Sequence, residues 1–346
     1  MRTIRLPTRA YTRIFMSAFF VTALIILGVL EFGTIPLRDA LCRSMYPENS
    51  INMVYTGELA PYINASSLIT HLLAARDGQV VSSSIALGEI IHQSWKTKDV
   101  PPAYHSLTTS WRSVYSNWTY VLWDNYDNRA LVENLYPEWV RAYDALPSDI
   151  YRAHFTRNLY MHTFGGIYAD IDSEAISPLD LLVEAQRRTG IPTAFLGTMV
   201  TSSHDLHGVP DAFMAASAPG HPLWLVIAQD TVDWSRARSW DRSVPLPGPE
   251  YVSGPVSLRR SIANYSPSVL KSSSPYAVSS EAIAPVVLFS PEVIYPFTWD
   301  RSRPHISTAT KECVCWMAMS TFNPRMCKKM TGAQWVVHYW KHAWKS

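Results

Sequence analysis

The chain has 346 residues, is 47% hydrophobic and 17% charged, and carries a net charge of +2. That apolar content excludes global disorder, and the near balance of charge gives no reason to expect nucleic acid or another general polyanion as a partner. Thirteen Trp, 18 Tyr and 24 Pro stand against 14 Gly, with no internal period, which excludes a repeat array or a coiled coil. Four cysteines are too few for a disulfide-built mini-domain.

Residues 14–30 form a run of 17 residues without a charge, bounded by Arg13 and Glu31. As a helix the run spans about 26 Å, close to the roughly 27 Å hydrocarbon core of an early secretory membrane. Arg2, Arg5, Arg9 and Arg13 precede it, and no Lys or Arg follows before Arg38. The positive-inside rule therefore predicts a cytosolic tail over 1–13, a transmembrane signal anchor over 14–30, and a lumenal remainder. A cleaved signal peptide is the alternative, although the run exceeds a usual h-region and no A-x-A site follows it. A buried core helix is a third reading, against which the arginine flank stands. In a lumen, the sequons at Asn64, Asn117 and Asn264 are candidate glycan sites, with Asn117 inside an aromatic run. Cys313, Cys315 and Cys327 lie close together and Cys42 lies near the membrane, so one local disulfide is expected among the last three. Their spacing is poor for zinc.

Residues 31–84 mix Pro, Ser and Asn with short apolar pieces and read as a lumenal stem; residues 85–346 read as one catalytic domain. Gly88 to Trp95 reads as a buried strand, and Pro101-Pro102 opens a helix that runs to about Tyr115. Tyr120–Trp123 is a second strand, and helices broken at Pro137 follow over 126–145. Pro147-Ser148-Asp149 starts a helix that stops at Gly165-Gly166. Ile167 to Asp172 reads as a strand ending in acid. A helix near 179–188, a strand over 193–199 and a helix over 221–234 complete the readable part. Strands alternating with helices predict an α/β sheet with crossover connections.

Asp170-Ile171-Asp172 is the sharpest chemical feature. On a strand, residues two apart share a face, and two carboxylates placed there repel unless a cation lies near them. Mg²⁺ or Mn²⁺ takes oxygen ligands, including those of a diphosphate, and ligands of open α/β sheets bind at the carboxyl ends of strands. A lone D-x-D is also found as ordinary solvated turn charge.

The stretch from Arg157 through Gly165-Gly166-Ile167-Tyr168-Ala169-Asp170-Ile171-Asp172 resembles the core motif of the DxD sugar-transferase family. That family holds the fungal initiating α-1,6-mannosyltransferases and the mannosyl inositol-phosphoceramide synthases, and more distantly the sugar-transferring domains of large clostridial toxins. Ile90-Ile91-His92-Gln93-Ser94-Trp95-Lys96-Thr97 resembles its first strand. Ala218-Pro219-Gly220-His221-Pro222, Ser253-Gly254-Pro255, His338-Tyr339-Trp340 and Trp344 follow in the family's order.

The resemblance implies one GT-A type, Rossmann-like nucleotide-sugar-binding domain, a divalent metal and retention of anomeric configuration. It implies that Trp95 stacks on the nucleobase, Arg157 contacts donor sugar or phosphate, Asp170 touches ribose or sugar and the metal, and Asp172 binds the metal. His338 adds a metal or phosphate contact, Trp344 lies near the leaving diphosphate, and Gly165 and Gly166 allow close approach of backbone. Plain structural readings stand beside these. Trp95 and Trp344 also suit packing, Arg157 a helix-surface ion pair, His338 an ordinary surface site, the glycines a helix C-cap, and the tail a terminal helix. Two residues depart from the family pattern. His154 stands where an aspartate is common three residues before the motif Arg, and Ala343 where Ser is common.

The resulting expectation is a Golgi-membrane, type II glycosyltransferase that uses Mn²⁺ or Mg²⁺ and GDP-mannose. Its acceptor would be a glycan or glycosphingolipid. Transfer from a UDP-sugar, or an inactive glycan-binding relative, are the alternatives; the endoplasmic reticulum is the alternative location. No acid stands out as a covalent nucleophile, which leaves front-face displacement as the expectation.

Overall fold

In the computed structural model the described residues are 35–46, 53, 55–79, 85–199, 206–240, 247–265, 276–278, 284–298 and 306–341. The hydrophobic run 14–30, Ala343 and Trp344 lie outside them. Among the described residues no helix is long and apolar enough to cross a membrane.

The chain divides into two units. The larger, 52–298 with 332–338 and 342–346, holds nine strands among the described residues. They are β1 Ile90–Ser94, β2 Thr119–Trp123, β3 Gly166–Ala169, β4 Ser173–Ala175, β5 Ala194–Gly197, β6 Phe213–Ala216, β7 Tyr276–Val278, β8 Val286–Phe289 and β9 Val336–His338. Seven form one mixed sheet in the order β2-β1-β3-β6-β5-β8-β7. β1 runs parallel to β2 and β3, and β5 parallel to β8; β6 is antiparallel to both β3 and β5. β4 and β9 form a separate antiparallel pair. The α/β class with crossover helices is therefore as the sequence predicts.

β1 is buried along nearly its whole length, as parallel strands covered on both faces are. Its two buried polar residues, His92 and Gln93, are satisfied internally. Trp123 Nε1 donates to His92 Nδ1 at 3.0 Å, and His92 Nε2 lies 3.0 Å from the Gly165 carbonyl oxygen. Because the indole only donates, Nδ1 is the acceptor and Nε2 carries the proton. Gln93 Nε2 donates to the carbonyl oxygens of Ala169 and Asp170 at 3.3 and 3.4 Å, so β1 grips the end of β3 where the acids begin. The Asp149–Thr163 helix packs above, with Tyr160 stacked on Trp123 at 4.4 Å and on His92 at 5.5 Å.

Two differences from the sequence reading concern this unit. The strand predicted over 167–172 ends at Ala169, and Asp170-Ile171-Asp172 forms a turn closed by Ser173 N donating to Asp170 O at 3.1 Å. Strand alternation is thus not what aligns the two acids. The stretch predicted as stem also enters the core. Ala60 N bonds Arg112 O, Tyr120 N bonds Pro61 O, and the Ala65–Arg76 helix buries Ala65, Leu68 and Ile69. Short apolar pieces among Ser and Asn conceal that amphipathic face.

The smaller unit comprises 1–51, 299–331 and 339–341. Its helices Ile35–Met45, Ile306–Cys315 and Pro324–Thr331 are joined by Cys42–Cys313 and Cys315–Cys327. The second is the expected local disulfide. The first spans 271 residues of sequence, beyond reach of any local reading. Arg38, 2% exposed, pairs with Glu312 at 3.3 Å across the same helices. All three sequon asparagines, including Asn117, are exposed.

Candidate active site

Register builds the site. His92 pairs with Tyr168 between parallel strands, so β1 and β3 end at the same sheet edge, with Trp95 just past one and Asp170 just past the other. After the Asp170–Asp172 turn the chain reverses into β4, and β9 lies antiparallel to it with His338 opposite Ser173. His338 Nε2 then lies 3.0 Å from Asp172 Oδ1 and 3.6 Å from Asp170 Oδ2.

Asp170, Asp172 and His338 each present one ligand atom, all within 4.8 Å of one another. Two carboxylate oxygens and one imidazole nitrogen make a donor set that fits a divalent ion, and the nitrogen suits Mn²⁺ better than Mg²⁺, which favours oxygen alone. Burial disfavours charge on His338, but Asp172 and Asp170 outweigh it and raise the imidazole to about 9. Burial would likewise raise the Asp170 carboxyl, yet Arg157 and then His338 hold it far below the ordinary carboxylate range. The Asp170 side chain is 29% exposed, which leaves it open to a ligand.

Arg157 is the electrostatic hinge. Its guanidinium lies 4.5 Å over the Tyr168 ring, 3.4 Å from Asp170 Oδ1 and 3.1 Å from Asp211 Oδ2. Nη1 donates to the Asp211 carbonyl oxygen at 2.8 Å, and Tyr168 OH donates to Asp170 Oδ1 at 2.6 Å. It is 6% exposed, so the surface-pair reading fails. Arg157 Nε and Asp211 Oδ2 are buried without a hydrogen-bond partner among the described residues. Asp211 Oδ2 is charge-paired with the same guanidinium at 3.1 Å, so the atom left without a counterpart is Arg157 Nε, and an orphaned buried donor suits a polar ligand.

His154 sits on the far side of Asp211, with Nε2 3.9 Å from Asp211 Oδ2. Burial pushes its imidazole below the ordinary range, against the pull of Asp211. Gly254 of Ser253-Gly254-Pro255 makes room for it, since a Cβ there would lie 2.6 Å from His154 Nδ1. Asp211 itself was missed in the sequence. Its signal was an acid just before the buried strand that leads into Ala218-Pro219-Gly220.

Trp95 is half-buried beside Tyr104, with ring centroids 5.5 Å apart and Lys96 Nζ 5.6 Å from the indole. Burial and then the charge of Asp172 push the Tyr104 hydroxyl up to about 12, so this aromatic pair borders the acids. Gly165 and Gly166 are not brought to them. Both have positive φ, and a Cβ on Gly166 would lie 2.0 Å from Ile90 O, whereas one on Gly165 would lie 2.9 Å from Ala218 C. They sit at the other end of β3, where glycine is required for backbone packing. Residues 336–338 are a strand and Trp340, with φ of 49°, is not helical; the rest of the stretch in which a terminal helix is the alternative, with Trp344, lies outside the described residues.

Residues 101–189 match the family described as glycosyltransferase sugar-binding region containing DXD motif. This stretch, 89 of the 346 residues, holds Arg157, Asp170 and Asp172, and over it the chain is similar to that family, in line with the resemblance read from the sequence. Several similar proteins are named as mannosyltransferases. Inositol phosphoceramide mannosyltransferase 3 of Schizosaccharomyces pombe is 33% identical over 30% of this chain and 29% of its own length. Inositol phosphoceramide mannosyltransferase 2 of the same yeast is 29% identical over 43% and 40%. The initiation-specific alpha-1,6-mannosyltransferase of Candida albicans is 28% identical over 29% and 30%. This chain thus matches well under half the length of each relative. Among solved structures, PaToxG glycosyltransferase aligns with a TM-score of 0.38 and 13% identity over 59% of this chain and 77% of its own, too distant to bear on function.

Proposed function

We propose that the protein is a metal-dependent, retaining glycosyltransferase that transfers mannose from GDP-mannose to a glycan or glycosphingolipid. It would be held in the Golgi membrane by residues 14–30 with its GT-A type domain in the lumen. The observation that carries the reading is the convergence of Asp170, Asp172 and His338 beside a buried Arg157. A bound divalent ion would supply Lewis-acid neutralisation of the departing diphosphate.

The chain's own residues supply the rest. Arg157 fixes the Asp170 carboxylate and keeps it ionised. Arg157 Nε offers one donor to the donor sugar, and Asp211, paired with the same guanidinium, holds it in place. Trp95, backed by Tyr104, offers a face for the nucleobase. Trp344, outside the described residues, keeps its proposed place near the diphosphate. The mannosyl donor and the lipid or glycan acceptor rest on what the relatives' names say they transfer and modify.

The test is protection of the full-length protein from thermal unfolding by GDP or UDP, each with Mn²⁺, followed by hydrolysis of several nucleotide sugars. GDP should protect, only with metal, and not in Asp172→Asn. Protection by UDP alone would move the donor to a UDP-sugar. Protection by neither would sink the transferase reading.

A further inference from the structure

We propose that the outward face of the Pro324–Thr331 helix is a membrane-surface contact that binds phosphate-bearing anionic lipid headgroups. The helix reads PRMCKKMT and holds no acid. Pro324 and Cys327 are buried, while Arg325, Met326 and Lys329 are exposed, Met326 at 38%. Arg325 and Lys329 stand four apart, so they neighbour each other with like charge, an arrangement that disfavours an isolated helix and suits one covered by an anion. Met326 lies next to them on the outward side. Two exposed cations beside an exposed thioether form the pattern of a helix lying in an interface, with charged heads at phosphates and the apolar group below them.

Chain length says which surface lies nearby. The uncharged run ends at Leu30, and the Ile35–Met45 helix begins five residues later, at most about 18 Å of extended chain. Cys42–Cys313 ties that helix to Ile306–Cys315, and Cys315–Cys327 ties this one to Pro324–Thr331. A membrane entered by 14–30 therefore keeps the basic helix in its vicinity. Two cations and a methionine bind a bilayer weakly, but a short tether raises the effective concentration to the millimolar range, where weak contacts are populated. The proposal rests on the anchor reading for its tether, not for its chemistry.

The experiment uses the full-length protein with phosphatidylcholine vesicles and with vesicles that also contain phosphatidylinositol. Acetylation of Lys329 by a water-soluble reagent is followed by mass spectrometry, and flotation after carbonate wash reports the anchor separately. Lys329 should react about fivefold more slowly on the anionic vesicles, with the protection lost at high salt and in Arg325→Glu. Carbonate-resistant flotation with equal Lys329 rates on both vesicles would overturn the proposal and keep the anchor. Loss of the protein at the carbonate wash, with Lys329 protected on the anionic vesicles before it, would keep the proposal and remove the anchor. No carbonate-resistant flotation together with equal Lys329 rates on both vesicles would overturn both.

Discussion

His338 sits opposite Ser173 in the β4–β9 pair, and that register lays its Nε2 3.0 Å from Asp172 Oδ1. A site begun by one short motif is therefore completed by a strand more than 160 residues further on. Val336 and Val337, 1% and 0% exposed, pack the strand that delivers the imidazole.

Asp172→Asn and His338→Ala should each lower transfer by at least ~100-fold, since loss even of groups that only support a metal ligand costs 10–100-fold. Thermal unfolding without metal should change little for Asp172→Asn. Near-normal turnover of either variant at saturating Mn²⁺ would mean that the cluster does not serve the reaction. Point variants are the cleaner test, because deleting 337–346 also removes buried β9 residues.

Asp211 and His154 should behave as one unit. His154→Asp would bury a second carboxylate one bond short of where Nε2 now lies 3.9 Å from Asp211 Oδ2, and like charges buried that near disfavour each other. The single variant should lose roughly 2–3 kcal/mol, and adding Asp211→Asn should recover most of it, within the range of coupling energies between contacting residues. A urea-unfolding double-mutant cycle measures this. Strictly additive effects would show that the two positions are independent. Asp211→Asn alone should weaken donor use about tenfold or more, read as kcat/KM with the nucleotide sugar varied.

Acid should destabilise the fold through two buried histidines. Burial lowers His92 to about 3 and His221 to about 4, from an ordinary 6.5. Both are neutral when folded and charge near 6.5 when unfolded, so the unfolded chain binds more protons in between. Their contribution is complete above that value and declines as pH falls toward 4. The urea midpoint should drop from pH 7 to pH 5. In His92→Gln, whose amide can accept from Trp123 and donate to Gly165, the drop should be smaller; an identical drop would contradict a neutral buried His92.

Cys42–Cys313 should hold the N-terminal helix to the protein after the chain is cut. Protease nicking between 46 and 55 should release the 35–45 helix on a gel only when reductant is present. A soluble fragment begun after Cys42 would leave Cys313 unpaired and should be less stable by about 2–5 kcal/mol than one begun before Ile35. Release of the helix without reductant would show that the bridge is not formed.

The sequence by itself determined the elements from Ile90 to Ala169 and the order of the motifs, because hydrophobic runs, prolines and a Gly-Gly stop act locally. It also named Arg157, Asp170, Asp172 and His338, but gave the wrong reason for the two acids: a turn gripped by Gln93, not a strand, sets their spacing. Only the tertiary structure decided the packing role of Gly165 and Gly166, the place of Asp211 beside Arg157 and the Cys42–Cys313 bridge. β6 has four residues and β9 three, too few to show a period, and their partners lie far away in sequence. Pairings of that kind are fixed by what the assembled sheet leaves to be covered, so no local pattern announces them.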